Sequence, residues 1–218
     1  DEGWRFSNFA ALTLDGFTLP EPVKLADTHH TAMDITGAGT LALANHRVIL
    51  HEPVAADLAQ KGVIFASLQD ALLKHGELVR AHLLTQPSKL GSEKFAALHE
   101  AFLEDGAFIY VPKNTEVAVP FGIFHYAANS GTALFPHTLV VAEENARVTV
   151  ADFFRSANAG ERQFICGGND LFAAHGAQLT YIAMQDWSRD ALSLQFNATV
   201  ARRDARVLSV NLHAGARQ

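Results

Sequence analysis

The chain has 218 residues, 49% of them apolar and 18% charged, enough for one large domain or two small ones with a sizeable core. Its formal net charge is -6 and its 17 Lys and Arg residues are dispersed, so neither a nucleic-acid-binding face nor a polybasic membrane anchor is expected. A single cysteine, Cys166, excludes an internal disulfide and suits a reducing compartment, and no apolar run approaches the ~18 residues of a membrane span.

The first residues, DEGWRFSNFAAL, lack the features of a signal peptide and carry no initiator Met, so the chain is expected to be processed, trimmed or cut from something longer. His29 and His30 precede Asp34, a loose grouping that reads as a solvated loop. TGAGT at 36–40 lacks the Lys-Ser/Thr pair and the strand–helix setting of a phosphate loop. LALANHRVIL reads as a hairpin turning at Asn45 and His46. Ser67 and Asp70 form a capping box, and the apolar residues from Leu72 to Leu83 predict two short helices divided at Gly76. Between Glu93 and Glu104, Phe95, Leu98 and Phe102 make one helical stripe, with Gly106 as the expected stop.

After residue 105 the pattern changes to short strands. Four turn-like pairs recur: Lys113-Asn114, Glu144-Asn145, His175-Gly176 and Arg203-Asp204, with second members 31, 31 and 28 residues apart. Each is followed by a small residue, a long polar one and an aliphatic one, as in Ala146-Arg147-Val148. Asn, Gly and Asp are the residues that enter left-handed turns most readily, so chemistry and spacing agree on a β-solenoid whose strands pair one coil above and below. Val148, Val150 and Phe153, or Leu179, Tyr181 and Ala183, are the expected inward residues. A β-sandwich with frequent hairpins is the alternative, but it gives no reason for the 31-residue register.

Candidate chemistry is sparse. His125 and His137 flank a stretch of mostly small residues and read as ordinary surface or loop histidines. Cys166 could be a soft ligand for iron or sulfur, yet alone it reads as a small buried hydrophobe. Gln185 and Trp187 form a speculative inward polar cluster, because a Gln inside a coil must find partners or water; the plainer reading has Trp187 capping the coil and Gln185 laddering with its neighbours. No carboxylate pair, Ser-His-Asp order or Cys-His arrangement is legible for catalysis, and no metal site is expected.

GAFIYVPKNTEVAVP, FPHTLVVAEENARVTVADFF and AMQDW before a further ARV strand resemble the SufB/SufD family of iron-sulfur cluster assembly scaffolds. WRF near the start, GVIFASLQDALLKHGELVRAHL and KFAALHEAFLEDG are similar to the region that precedes the β-helix on the SufD side of that family. Ala151-Asp152-Phe153-Phe154 stands where SufB-type members carry a Glu-Gly-Cys-Thr-like segment, so the likeness leans to SufD. SufB-type members have a Gln-x-Trp similar to Gln185-Asp186-Trp187. The resemblance implies a mainly β protein: a right-handed parallel β-helix, incomplete, its first half at 106–218, after a mainly helical N-terminal region with a hairpin at 1–105. It also implies a cytoplasmic, non-catalytic scaffold working with a SufB-like partner and a SufC-type ABC ATPase, with no cofactor in this chain and an Fe–S cluster only in the full complex. Family members continue through further coils and a C-terminal helical segment that contacts the ATPase, so this chain is expected to be a truncated member lacking those docking surfaces, able to form a homo-oligomer. A β-helix carbohydrate-active enzyme (lyase or hydrolase) and a structural adaptor without a cluster role are the alternatives; the mixed charges at Lys113, Glu144, His175 and Arg203 read as a solvated edge rather than a catalytic face.

Overall fold

The computed structural model describes residues 13–25, 37–87 and 93–216. The hairpin forms as expected: β1 (Gly39–Ala44) and β2 (Arg47–Glu52) pair antiparallel around Asn45 and His46, both at positive φ. A short helix, α1 (Ala56–Gln60), leads to β3 (Ile64–Ser67). Ser67 then caps α2 (Leu68–Lys74), its hydroxyl accepting the Asp70 N–H at 3.2 Å. His75 leaves helical geometry, and α3 (Gly76–Arg80) starts anew at the expected break. α4 (Glu93–Phe102) is two residues shorter than the sequence suggests. Gly106 is not its stop. It lies four residues on, where a Cβ would collide with the carbonyl of His137, so the glycine admits a close backbone crossing.

Beyond α4, every regular element among the described residues is a strand: β4 (Ala107–Val111), β5 (Phe121–Ala127), β6 (Thr132–Leu134), β7 (His137–Ala142), β8 (Arg147–Ser156), β9 (Gln163–Ala173), β10 (Gln178–Asp186), β11 (Leu192–Ala201) and β12 (Arg206–His213). They wind into a parallel β-solenoid of about three turns. One sheet runs β12-β10-β8-β5-β1-β2 and the other β11-β9-β7-β4-β3, with β6 beside β9. Among the described residues all strand pairings are parallel except the N-terminal β1–β2 and β3–β4, so the hairpin and β3 finish the first coil on both sides.

The four turn pairs are the corners. Asn114, Asn145, Gly176 and Asp204 have φ of 56°, 55°, 68° and 58°. Each of the first three donates its N–H to the carbonyl of the residue before the next corner: Glu144 at 2.8 Å, His175 at 2.9 Å and Arg203 at 3.1 Å. Asn145 also bonds Asn114 side chain to side chain at 3.1 Å. The 31-residue register is therefore a hydrogen-bonded ladder, which a sandwich would not build.

The main core lies between the sheets and includes Val148, Val150, Leu179, Tyr181 and Ala183. Phe153 is a correction. Strict alternation from Val150 sends Asp152 and Phe154 inward and leaves Phe153 outside, stacked on Phe124 with ring centroids 4.8 Å apart and planes 7° apart. Outside the solenoid, α2 and α3 cover Phe108, Leu139 and Val141, while Phe95 and Leu98 of α4 cover Phe135, Phe164 and Cys166.

Candidate functional site

The bore of the solenoid is not wholly apolar. Six strands contribute to a polar line centred on Asp152 of β8, itself fully buried. Thr138 of β7 donates its hydroxyl to Asp152 Oδ2 at 2.6 Å, and Tyr181 of β10 donates to the same oxygen at 2.7 Å. His125 of β5 places Nε2 at 3.5 Å from Asp152 Oδ1 and 3.4 Å from the Thr138 hydroxyl, its ring stacked flat on Phe154. Asn169 of β9 donates its amide to Asn197 Oδ1 on β11 at 2.6 Å.

Burial decides the charge states. It pushes the Asp152 carboxyl from its ordinary 3.8 up to about 7, against the pull of the two hydroxyl donors. Burial also lowers His125 to about 3, so the ring is neutral. It raises the Tyr181 phenol well above its usual range, helped by the adjacent carboxyl. The line thus holds a proton at Asp152 near neutrality while its histidine stays uncharged.

Gln185 and Trp187 lie further along the bore, 5% and 3% exposed. The register partners of Gln185 are Phe154 on one side and His213 on the other, and of these neighbours only His213 bonds its side chain. The Gln185 Oε1 accepts from His213 Nδ1 on β12 at 3.1 Å and from the Ser193 hydroxyl on β11 at 3.4 Å. Gln185 Nε2 and Trp187 Nε1 are buried without a hydrogen-bond partner among the described residues, a condition that ordered water ordinarily relieves. Trp187 packs its ring 6.0 Å from Phe154.

The histidines correct the sequence reading. His125 and His137 are neither surface nor loop residues; they sit on β5 and β7, 5% and 1% exposed, pointing to opposite sides of the solenoid wall. Cys166 is fully buried beneath α4, and burial pushes its thiol up to about 12. A cluster ligand must be a thiolate, so Cys166 as held here does not fit that role. His29, His30 and Asp34 lie outside the described residues. Gly39 and Thr40 of the TGAGT stretch simply open β1. Among the described residues no three His, Cys, Asp or Glu side chains form a set that could hold a metal ion.

Comparison with known proteins fits this architecture. The family described as "SufBD protein N-terminal region" matches residues 18–123, and that described as "SUF system FeS cluster assembly, SufBD core domain" matches residues 124–218. The chain belongs to the SufBD family. It is 31% identical over 207 residues to the Bacillus subtilis iron-sulfur cluster assembly protein SufD, covering 94% of this chain and 47% of that protein. It is similar to a Synechocystis SufBD family protein, 31% identical over 60% of this chain and 27% of the relative, and to one from Staphylococcus epidermidis, 25% identical over 83% and 38%. The chain thus spans under half the length of these SufBD relatives. Its polar line falls mainly within the stretch matched by the SufBD core.

Proposed function

We propose that this chain serves iron-sulfur cluster assembly as a non-catalytic scaffold component of the SUF system, acting with a SufB-like scaffold and a SufC-type ABC ATPase in the cytoplasm. The observation that carries the reading is the end-to-end match of two SufBD family regions across 18–218, on a chain that folds as the hairpin-closed start of a parallel solenoid. A cluster would be cargo of the assembled complex, since the one cysteine here is sealed beneath α4. No helix among the described residues is long and apolar enough to cross a membrane, which agrees with the dispersed basic residues.

The test is a chimera in which this chain replaces the matched segment of the Bacillus subtilis protein. It should support iron-sulfur enzyme activity in cells lacking the native copy and should co-purify with the SufB-like and ATPase partners. A folded chimera that binds both partners yet restores no activity, or one that binds neither, overturns the reading. The isolated chain should bind the ATPase only weakly, with a dissociation constant near or above ~100 μM by calorimetry, because any contact from its N-terminal helices would be small.

A further inference from the structure

Asp152 Oδ2 takes two hydroxyl protons, but its Oδ1 is buried without a hydrogen-bond partner among the described residues. The same is true of Asn169 Oδ1, Gln185 Nε2 and Gln195 Nε2. His125 Nε2 stands 3.5 Å from Asp152 Oδ1 without bonding it. Folded chains rarely leave such atoms bare, and four of them along one bore point to a shared partner.

The strands bring the four around one space. Thr138, which donates to Asp152, is in register with Asn169 on β9. Two residues before Asn169, on the same face, Gly167 is in register with Gln195 on β11, whose Oε1 lies where a Cβ of Gly167 would stand. Two residues before Gln195, Ser193 donates to Gln185 Oε1. Gln185 in turn lies two residues beyond Ala183, which is in register with Asp152 and closes the circuit. The rise along a strand and the spacing between strands set Asp152 and Gln185 about 8 Å apart at Cα, a gap that one small molecule can bridge between the side chains. Gly167 gives the circuit no side chain and Ala183 only a methyl group, which leaves its middle to the four polar atoms.

The donor set selects the occupant. Two of the four atoms are oxygens and two are amide N–H groups. An anion would meet the Asp152 and Asn169 oxygens, and a metal cation would meet the hydrogens of two amides that do not ionise. What fits is a neutral molecule that both donates and accepts, small enough to be enclosed between the two sheets. We propose that a water molecule is a built part of the bore, bridging Asp152 and Asn169 to Gln185 and Gln195. With Oδ2 already accepting twice, the proton that burial keeps on Asp152 near neutrality belongs on Oδ1, and water can turn either a lone pair or a hydrogen to that oxygen. The bridge makes one path of two separate groups: Thr138, Tyr181 and Asp152 on one side, Gln185, Ser193 and His213 on the other.

Proton NMR of the full 218-residue chain reads the site through the side-chain amides of Gln185 and Gln195, assigned with Gln185→Met and Gln195→Met. Both amides should show cross-peaks to the water resonance, with NOE and ROE of opposite sign, as water that tumbles with the protein gives. Oxygen-17 relaxation dispersion of the solvent counts such waters independently. Its amplitude should fall by the equivalent of one water per chain when both glutamines are replaced by Met, which keeps their length and removes their donors. Gln86→Met, at an exposed position, should leave it unchanged. Wild-type amides that are silent towards water overturn the proposal, and so does an amplitude that the double substitution leaves unchanged. Should the double variant fail to fold, the wild-type cross-peaks decide alone.

Discussion

Asp152 shows what a single inward position can carry. Two buried hydroxyls, from Thr138 and Tyr181, depend on its Oδ2. Asp152→Ala would strand both without an acceptor, and we expect a loss of about 3 kcal/mol in urea unfolding, whereas Asp152→Asn keeps an acceptor oxygen and should lose less than half as much. Equal midpoints for the two variants would show that the hydroxyls are satisfied elsewhere. The residue was within reach of the sequence: side chains alternate strictly along a strand, so Val148 and Val150 inward imply Asp152 and Phe154 inward. Taking Phe153 instead follows hydrophobicity over geometry. By contrast, nothing local announces His99 and His137 as partners. They are 38 residues apart, and their meeting depends on α4 docking against β7, a tertiary event that helical periodicity does not encode.

Among the elements, the corners were the most legible, because turn chemistry and spacing report the same thing independently. The corner at Gly176 makes a sharp test: a β-branched side chain at φ 68° is costly, and any Cβ there meets Asn145 Oδ1. Gly176→Val should be less stable than Gly176→Asn by about 1–2 kcal/mol, since Asn tolerates the left-handed region, and denaturant midpoints would show it. Helix α4 was legible in existence and in its Phe95–Leu98 stripe, yet its fully buried residues are Ala96 and His99. A histidine on the inner face of a helix carries no sign in sequence of whether it will be sealed.

At the scale of the whole molecule, buried titrating groups set how stability follows pH. Burial lowers His46, His99 and His125 from 6.5 to about 4, about 3 and about 3. Between those values and 6.5 the unfolded chain binds protons that the folded chain does not, so each contribution is present above 6.5 and lost on acidification. Asp152 works the other way: raised from 3.8 to about 7, it holds a proton in the folded state that the unfolded state releases, and its contribution is lost as pH rises through that window. The three histidines outweigh the two carboxyls raised by burial, Asp152 and Asp105, so the urea midpoint should fall from about pH 6.5 to about pH 4, and less steeply in His125→Gln. A flat profile would contradict the buried, neutral histidines. Residues 1–218 taken by themselves present a second property at β12. β12 lies at a sheet edge with Leu208 and Leu212 more than half exposed, an arrangement that invites another strand. The chain should self-associate in a concentration-dependent way by light scattering, and Leu208→Lys should suppress it; a monomer at high concentration would count against this. Finally, the corners keep time for the whole winding, and the slack collects elsewhere. β8 and β10 pair at an offset of 31 residues and β9 and β11 at 28, so the three missing residues fall wholly in the turn between β10 and β11, across the coil from the ladder. That far rim is where length is negotiable: a foreign loop grafted between Ala159 and Gly160, where Gly160 faces open space, should leave the winding intact, while the same graft after Asn145 would throw every later coil out of step.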